Sequence, residues 1–240
     1  INLYRPPVWL RGRRAGFRNA DDFTSSPRAP RRRLQAQDKT PFMKFTHAAL
    51  MGDIAGSEAS GSLVRLHKVF NEVMIEANRV SRRDLESPLT ITLGDEFQGL
   101  CPTMSVGAAL MRRLRLKFLS KNIECRFALG LVNVRTPVNT REAWNMMGPG
   151  LSAVRERLEQ KDKRMAYRYS VPASPATATL LEGLSASLTE IERNWTDRQR
   201  ELAIKTVLDS QSPLSLAEKL GVTQRVYYKI RAAAQLDLYN

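Results

Sequence analysis

The order of apolar segments in this chain predicts a mixed α/β (α+β) fold, in which helices cover a sheet. Short apolar segments of strand length alternate with longer segments in which apolar residues recur at helical spacing. Connections long enough to hold a helix separate most of the predicted strands, as crossovers in a sheet require. The 240 residues, of which 42% are hydrophobic, suffice for a sizeable core.

The first predicted strand and helix differ in their periodicity. Residues 44–54 form a continuous apolar segment, which is typical of a buried strand. Glycines and serines at 56–61 predict a loop. Over residues 62–80, apolar residues recur every three or four positions, which predicts an amphipathic helix.

A hairpin and a second helix are predicted next. Residues 89–93 and 97–100 form two short apolar segments, and Asp95 lies at the turn between them. Residues 102–119 carry apolar residues on one helical face, and residues 126–131 predict a further strand.

The predicted α/β domain, residues 43–175, ends with one more helix and strand. The glycines around Pro149 precede a helix over about 151–160, and residues 166–171 predict the final strand. The prolines at 172 and 175 indicate the boundary of the domain.

Residues 1–42 differ from the rest of the chain in composition. They contain ten basic and three acidic residues, and so carry half of the net charge of +14. Arginine and proline are frequent and periodicity is absent, which predicts disorder. Two interpretations stay open: a basic arm that binds phosphates, or a non-native segment upstream of a start at Met43, which is favoured because the first strand follows directly.

The remaining composition predicts a cytoplasmic protein with no membrane partner. No apolar segment approaches the roughly 20 residues that a membrane span needs, and a signal-peptide pattern is absent. The two cysteines, Cys101 and Cys125, make a poor disulfide framework for this length, which favours a reducing compartment.

Residues 176–240 are predicted to be helical throughout. A helix over 176–195 precedes a second helix, which Thr196 caps together with Gln199. Residues 214–230 resemble a helix-turn-helix motif, because Gly221 permits a left-handed turn between two short apolar-faced helices.

This motif implies DNA as a partner and a homodimer as the assembly. The alternative is a helical bundle that packs on the first domain or mediates dimerisation. The residues expected to face DNA are Thr223, which also caps the second helix, and Gln224, Arg225, Tyr228 and Lys229.

Two aspartates are the strongest indication of function. Asp53 ends the first strand and Asp95 lies in the hairpin turn, and each follows a glycine. An ionised carboxylate beside a buried strand is costly unless it is paired. Two of them indicate a shared hard cation such as Mg²⁺, with the carbonyl of Ile54 as a further ligand. The neighbouring Glu96 points the other way along its strand and is a weaker ligand candidate.

A phosphate site is predicted beside this cation. Backbone N–H groups around Gly56 and Ser57 can bind an anion, and the N-terminus of the following helix adds a positive dipole end. The alternative is that both aspartates only cap turns.

The segments 52–57 and 93–99 resemble the two signature segments of the SatD family. At greater distance they are similar to the palm-like, ferredoxin-like domains of class III nucleotidyl cyclases and GGDEF diguanylate cyclases. In those families one metal-binding Asp ends the first strand and another lies in a hairpin.

The same resemblance extends to the helix after Gly148. Ala153 and Arg155 are similar to residues of the cyclase helix, which implies a phosphate contact for Arg155. Leu151 stands where cyclases carry an Asn that positions the ribose, so the resemblance implies nucleotide and metal binding more than cyclisation.

The leading hypothesis is a regulator that binds a nucleotide with Mg²⁺ in its cyclase-like domain and DNA through its C-terminal helices. One alternative is an enzyme, either a nucleotidyl cyclase or a palm-type domain that hydrolyses GTP or ATP. Another is a metal-free interaction module. No catalytic residue is assigned.

Overall fold

The structure, a computed structural model, describes residues 45–56, 62–162, 164–209 and 211–239. The predicted N-terminal segment, residues 1–42, lies outside the described residues. The strands are β1 (His47–Ile54), β2 (Ser87–Leu93), β3 (Glu96–Cys101), β4 (Cys125–Val132) and β5 (Tyr167–Ser170). The helices are α1 (Leu63–Ser81), α2 (Met104–Leu119), α3 (Leu151–Glu159), α4 (Pro175–Arg193), α5 (Asp197–Asp209), α6 (Pro213–Lys219), α7 (Gln224–Ala233) and α8 (Leu236–Tyr239).

The five strands form one sheet in the order β2-β3-β1-β4-β5. The central strand β1 is antiparallel to both of its neighbours, β3 and β4. Strands β2 and β3 form the predicted hairpin, and β4 and β5 are parallel. The predicted mixed α/β fold is therefore confirmed, although β5 is four residues long where the sequence predicts six.

Successive side chains of β1 point to opposite faces of the sheet, and the core forms one layer on each face. Ala48 and Leu50 face α1 and α2, in a cluster that also contains four phenylalanines. Ala49 and Met51 face the opposite side, where α3 packs. Asp53 continues this second series, so its side chain lies on the α3 face of the sheet.

Helix α2 is buried on two sides. Leu110 and Leu114 pack toward the sheet, whereas Leu116 and Leu119 pack against the C-terminal helices. A helix with buried apolar residues on two faces is typical of a position between two layers. The C-terminal helices therefore share a core with α2, while the predicted domain boundary at residue 175 stays a prediction.

The local geometry predicted for the C-terminal helices is present. Thr196 and Gln199 exchange both hydrogen bonds of a capping box, at 3.4 and 2.8 Å. Gly221 has a φ of 61°, and the Thr223 hydroxyl accepts a hydrogen bond from the backbone of Val226 at the start of α7. None of the helices in the described part of the chain has the length and apolar character needed to span a bilayer.

A buried ion pair joins the C-terminal helices to the sheet domain. The Arg115 Nε of α2 donates to Glu192 Oε2 of α4 at 2.8 Å, and both side chains are at most 1% exposed. Glu192 Oε1 accepts hydrogen bonds from the hydroxyls of Tyr167 on β5 and Tyr239 on α8. Every oxygen of this buried carboxylate therefore has a partner, as a charge removed from water requires.

The same guanidinium also bonds to the sheet. Arg115 Nη1 donates to Glu124 Oε2 at 2.6 Å and to the carbonyl oxygen of Cys125 at 3.1 Å. Burial opposes the charge of Arg115, but the negative groups around it outweigh burial and raise its pKa. Burial, reinforced by Glu192, raises the pKa of Tyr167 well above its ordinary value. Arg115 therefore stays charged, and Tyr167 stays neutral, throughout the ordinary pH range.

Replacing Arg115 with Met should lower the free energy of unfolding by about 3–5 kcal/mol, because Glu192 is then left buried without its cation. The double substitution Arg115→Met/Glu192→Met should recover part of this loss. Urea unfolding measures both, and Lys205→Ala, which breaks the exposed pair with Glu201, serves as a control that changes stability by less than about 0.5 kcal/mol. A loss below about 1 kcal/mol for Arg115→Met would contradict this account.

Candidate functional site

The two predicted aspartates meet where β1 ends. In the register of the sheet, Asp53 lies opposite Glu96 of β3 on one side and Arg126 of β4 on the other. The backbone N–H of Ile54 donates to the carbonyl oxygen of Asp95 at 3.1 Å, which fixes the hairpin turn beside the end of β1. Both aspartates therefore lie at the same edge of the sheet, where both line one cavity.

This edge forms a cavity of about 380 Å³. The structure brings together four of the residues predicted for the site, and four further charged residues join them in the wall. The predicted residues are Asp53, Ile54, Gly56 and Asp95, and the additional charged ones are Glu96, Arg126, Glu159 and Lys161. Ser57, the remaining predicted residue of the loop, lies outside the described residues.

The Asp53 carboxylate is held by Arg126. Arg126 Nε donates to Asp53 Oδ1 at 2.9 Å, and Nη2 donates to Oδ2, so the pair is bidentate. The two side chains are only 18% and 11% exposed. Burial raises the pKa of Asp53 above its ordinary value even though Arg126 lowers it. Burial thus disfavours the charged form of Asp53, and the bidentate pair with Arg126 offsets part of that cost.

The glycine before each aspartate has its own structural reason. A Cβ on Gly52 would lie 2.5 Å from the ring of Phe97, so the core beneath β1 requires glycine there. Gly94 has a φ of 52°, a conformation that favours glycine, in the tight turn between β2 and β3. The first glycine thus leaves room for Phe97 beside Asp53, and the second permits the turn that carries Asp95.

Cys125 of β4 connects the end of β1 to the buried Arg115 cluster through hydrogen bonds. The Cys125 Sγ donates to the carbonyl oxygen of Asp53 at 2.9 Å, and the carbonyl oxygen of Cys125 accepts from Arg115. Burial raises the pKa of the Cys125 thiol well above its ordinary value, so this thiol stays protonated as a donor. Hydrogen bonds through Cys125 therefore connect the backbone of Asp53 to the same Arg115–Glu192 cluster that contacts the C-terminal helices.

A second, basic cavity adjoins the first. It measures about 540 Å³ and shares Gly56, Arg126 and Lys161 with the cavity that holds the aspartates. Arg193 and the paired Arg115 also line it, together with two acidic residues, Glu124 and Asp162. The edge of the sheet therefore presents carboxylates and, directly beside them, a cavity in which basic side chains outnumber acidic ones.

The structure separates Arg155 from the aspartates. Its Nη1 bonds to Glu96 Oε2 at 3.0 Å, and the side chain lines a different cavity on the α3 face. Arg155 thus contacts the site through Glu96, and its predicted role as a phosphate ligand stays a prediction.

Four charged residues of this site were not predicted for it or were ranked low: Glu96, Arg126, Glu159 and Lys161. Glu96 was expected to point away, but β3 places it directly opposite Asp53, and its carboxylate lines the same cavity. Arg126 could have been found as the charged residue within the otherwise apolar strand β4. Lys161, which follows α3, has no comparable signal in the sequence.

The donors at this edge fit a magnesium ion that is held jointly by protein and ligand. Mg²⁺ is usually bound through one or two carboxylates together with substrate phosphates and water, rather than by an all-protein cage. Asp53 and Asp95 supply such a pair, and among the described residues no group of three or more metal-ligating side chains occurs. The residues present therefore suit Mg²⁺ only if a phosphate completes its coordination.

Arg126→Met should destabilise the protein more than Asp53→Asn does. The first substitution leaves a desolvated carboxylate without its partner and should lower the free energy of unfolding by about 2–4 kcal/mol. The second removes a charge that burial already opposes and should change it by less than about 1 kcal/mol. Chemical denaturation at about pH 7 compares the two variants.

The deficit of Arg126→Met should shrink as the pH falls from about 7 to about 4. Without Arg126 the native pKa of Asp53 rises further above its ordinary value of 3.8, so the native state binds a proton more tightly than the unfolded chain does. Acid therefore removes the penalty. A deficit that is independent of pH, or a larger loss for Asp53→Asn, would contradict the assigned pairing.

Solved structures of nucleotidyl cyclase domains resemble this chain weakly. The guanylate cyclase domain of RhGC from Catenaria anguillulae, solved in complex with GTP, matches with 12% identity and a TM-score of 0.38, over 49% of this chain and 74% of that one. The adenylyl cyclase CyaB from P. aeruginosa matches with 16% identity and a TM-score of 0.31, over 48% of this chain and 71% of that one. Scores at this level do not establish a shared activity.

No curated protein sequence matches the chain significantly. The family model described as the SatD family matches residues 47–239, which include both Gly-Asp segments and all of the C-terminal helices. The chain therefore belongs to the SatD family, as its two signature segments predict.

Proposed function

We propose that this protein binds a nucleotide through Mg²⁺ and the nucleotide's phosphates, at the edge of the sheet where β1 ends. One observation carries the proposal: a cavity lined by Asp53, Asp95 and Glu96 adjoins a basic cavity, and the two share Arg126 and Lys161. A metal–phosphate ligand needs this combination, since the cation requires carboxylates and the phosphates require cationic groups.

The proposed roles follow from these positions. Asp53 and Asp95 hold Mg²⁺, and the carbonyl of Ile54 is a further ligand. The backbone of Gly56 and the side chain of Lys161 bind phosphate oxygens in the wall that the two cavities share. When bound, Mg²⁺ supplies positive charge that screens the carboxylates from the phosphates.

Arg126 couples the two halves of this site. It neutralises Asp53 in the structure described here, and its guanidinium also lines the basic cavity. A cation at Asp53 would replace that neutralising charge, and the guanidinium would then be available to a phosphate in the adjoining cavity. Arginine suits this role because its planar group binds carboxylate and phosphate equally well.

Asp53→Ala, Asp95→Ala and Lys161→Ala should each weaken binding of ATP or GTP with Mg²⁺ about tenfold or more, because each removes a charged contact. Isothermal titration calorimetry with both nucleotides, with and without Mg²⁺, measures the effect. The matched control is Glu72→Ala, which removes an exposed carboxylate in the middle of α1 that lines neither cavity.

Absence of nucleotide binding by the native protein, or unaltered binding in both aspartate variants, would contradict the proposal and favour a metal-free interaction module. Mass spectrometry of the same samples separates binding from turnover. Unchanged nucleotide identifies a sensor, whereas a cyclic nucleotide or a diphosphate identifies the alternative of a cyclase or a hydrolase.

The proposal includes a second partner, DNA, at the C-terminal helices of a homodimer. Helix α7 exposes Gln224, Arg225, Tyr228 and Lys229, whereas the neighbouring Tyr227 is 1% exposed and anchors the helix in the core. An anchored helix with an exposed basic and polar face is the form that a recognition helix requires. Nucleotide occupancy would then regulate DNA binding through the arrangement of the two protomers.

The double substitution Arg225→Ala/Lys229→Ala should weaken DNA binding and reduce its salt dependence by about two phosphate contacts. Electrophoretic mobility shifts on the DNA upstream of the protein's own gene, at several salt concentrations, measure both effects. Lys121→Ala removes an exposed positive charge elsewhere and is the matched control. Equal loss in the control variant would indicate a nonspecific charge effect, and absence of binding by the native protein would contradict this part of the proposal.

A further inference from the structure

A third cavity lies on the α3 face of the sheet, beside the aspartates but outside the site described above. It measures about 490 Å³, within the range of small-molecule sites. Its floor is apolar and consists of Ala49, Met51 and Leu100. Asn145 and Ser152 contribute polar groups to its wall. An apolar cavity with a few polar groups is typical of a site that binds an organic ring.

The outer wall of this cavity is a loop that the sheet holds in place. The Gln98 side chain of β3 donates to the carbonyl oxygen of Ala143, and the Ala143 N–H donates to Thr90 Oγ1 at 2.7 Å. The carbonyl oxygen of Met147 accepts from the backbone of Arg135 at 2.8 Å. The loop is therefore anchored at both ends.

Close packing supports the same wall. A Cβ on Gly148 would lie 2.0 Å from the carbonyl oxygen of Asn133, so the loop presses directly on the chain that follows β4. Asn145 has a φ of 55°, and a residue other than glycine keeps this left-handed conformation only where the surrounding loop is fixed. The cavity is thus formed before any ligand binds.

Two large apolar side chains of this loop are exposed at the cavity. Trp144 is 54% exposed and Met147 is 69% exposed, and both line the cavity. An indole group beside an open apolar cavity offers a flat surface on which an aromatic ring can stack. Tryptophan and methionine at the mouth of a cavity are typical of binding surfaces.

One ion pair connects this cavity to the proposed metal–phosphate site. Glu96 lines the cavity of the aspartates and Arg155 lines the cavity of Trp144, and the two side chains bond at 3.0 Å. Both partners are partly exposed, at 26% and 38%, so the pair can rearrange around a ligand. A ligand with phosphates at the aspartates would therefore reach the apolar cavity across this pair.

We infer that the cavity beneath Trp144 holds the base of the nucleotide, stacked on the indole, with Asn145 and Ser152 bonding to the edge of the base. Aromatic side chains stack on bases, and amide and hydroxyl groups bond to base edges. This inference rests on the proposed function, because it assumes that the phosphates lie at Asp53 and Asp95. It identifies the ligand as a whole nucleotide, in preference to inorganic polyphosphate.

The test compares ATP and GTP with inorganic tripolyphosphate, each with Mg²⁺, by calorimetry. The native protein should bind one of the nucleotides at least about tenfold more tightly than tripolyphosphate. Trp144→Ala should remove this advantage and leave tripolyphosphate binding unchanged, whereas Trp144→Phe should retain most of it because a ring remains. Ser152→Phe, which adds bulk at an exposed position of the cavity wall, should also remove the advantage.

Fluorescence gives an independent measurement of the same contact. Adenosine and guanosine, which carry no phosphates, should quench tryptophan emission of the native protein, and this quenching should disappear in Trp144→Phe. The chain has two other tryptophans, Trp9 and Trp195, and both remain in that variant as internal references.

The outcomes separate the two proposals. If tripolyphosphate binds and the nucleotides bind no more tightly, the metal–phosphate site stands and the base cavity is wrong. If nucleotides bind tightly and Trp144→Ala has no effect, the base lies elsewhere and the inference is overturned. If neither ligand binds, the proposed function fails; quenching by nucleosides that is lost in Trp144→Phe would then still support a ring-binding cavity.

Discussion

The ion pair between Arg115 and Glu192 is the interaction on which the rest of this structure depends. It is buried among apolar residues, and its stability requires that every neighbouring polar group be present. Those groups come from α4, β5, α8 and the start of β4, so a single carboxylate and a single guanidinium join two strands of the sheet to α2 and to two of the C-terminal helices. Because Cys125 links this cluster to the carbonyl of Asp53, the position of the site depends on it as well.

The proposed site is a consequence of sheet register. Strand β1 ends between the start of β3 and the start of β4, so three charged side chains from three strands meet on one face. Burial disfavours the charged form of the Asp53 carboxylate, and the bidentate pair with Arg126 offsets part of that cost. The open space continues on one side into a basic cavity and on the other, across Glu96 and Arg155, into an apolar one.

Sequence patterns predicted the parts of this structure that depend on local interactions. Helices, the hairpin and the caps at Thr196 and Thr223 follow from periodicity and from single residues, and the structure confirms them. The same reasoning identified Asp53 and Asp95, because two ionised carboxylates beside buried strands indicate a shared cation, although either Gly-Asp segment alone is common at strand ends. It missed the partners that fold topology supplies: Arg126 lies 73 residues from Asp53, and Glu192 lies 77 residues from Arg115. No local pattern relates such pairs, since only the strand register and the helix packing bring them together.

The most direct test of the account is a crystal structure of the protein with a nucleotide and Mn²⁺, which replaces Mg²⁺ and can be located by its anomalous scattering. The account predicts an anomalous peak within about 2.0–2.3 Å of carboxylate oxygens of both Asp53 and Asp95, with phosphates next to Lys161 and with Arg126 moved from Asp53 to a phosphate. A bound nucleotide whose metal contacts neither aspartate, with the Asp53–Arg126 pair intact, would contradict it.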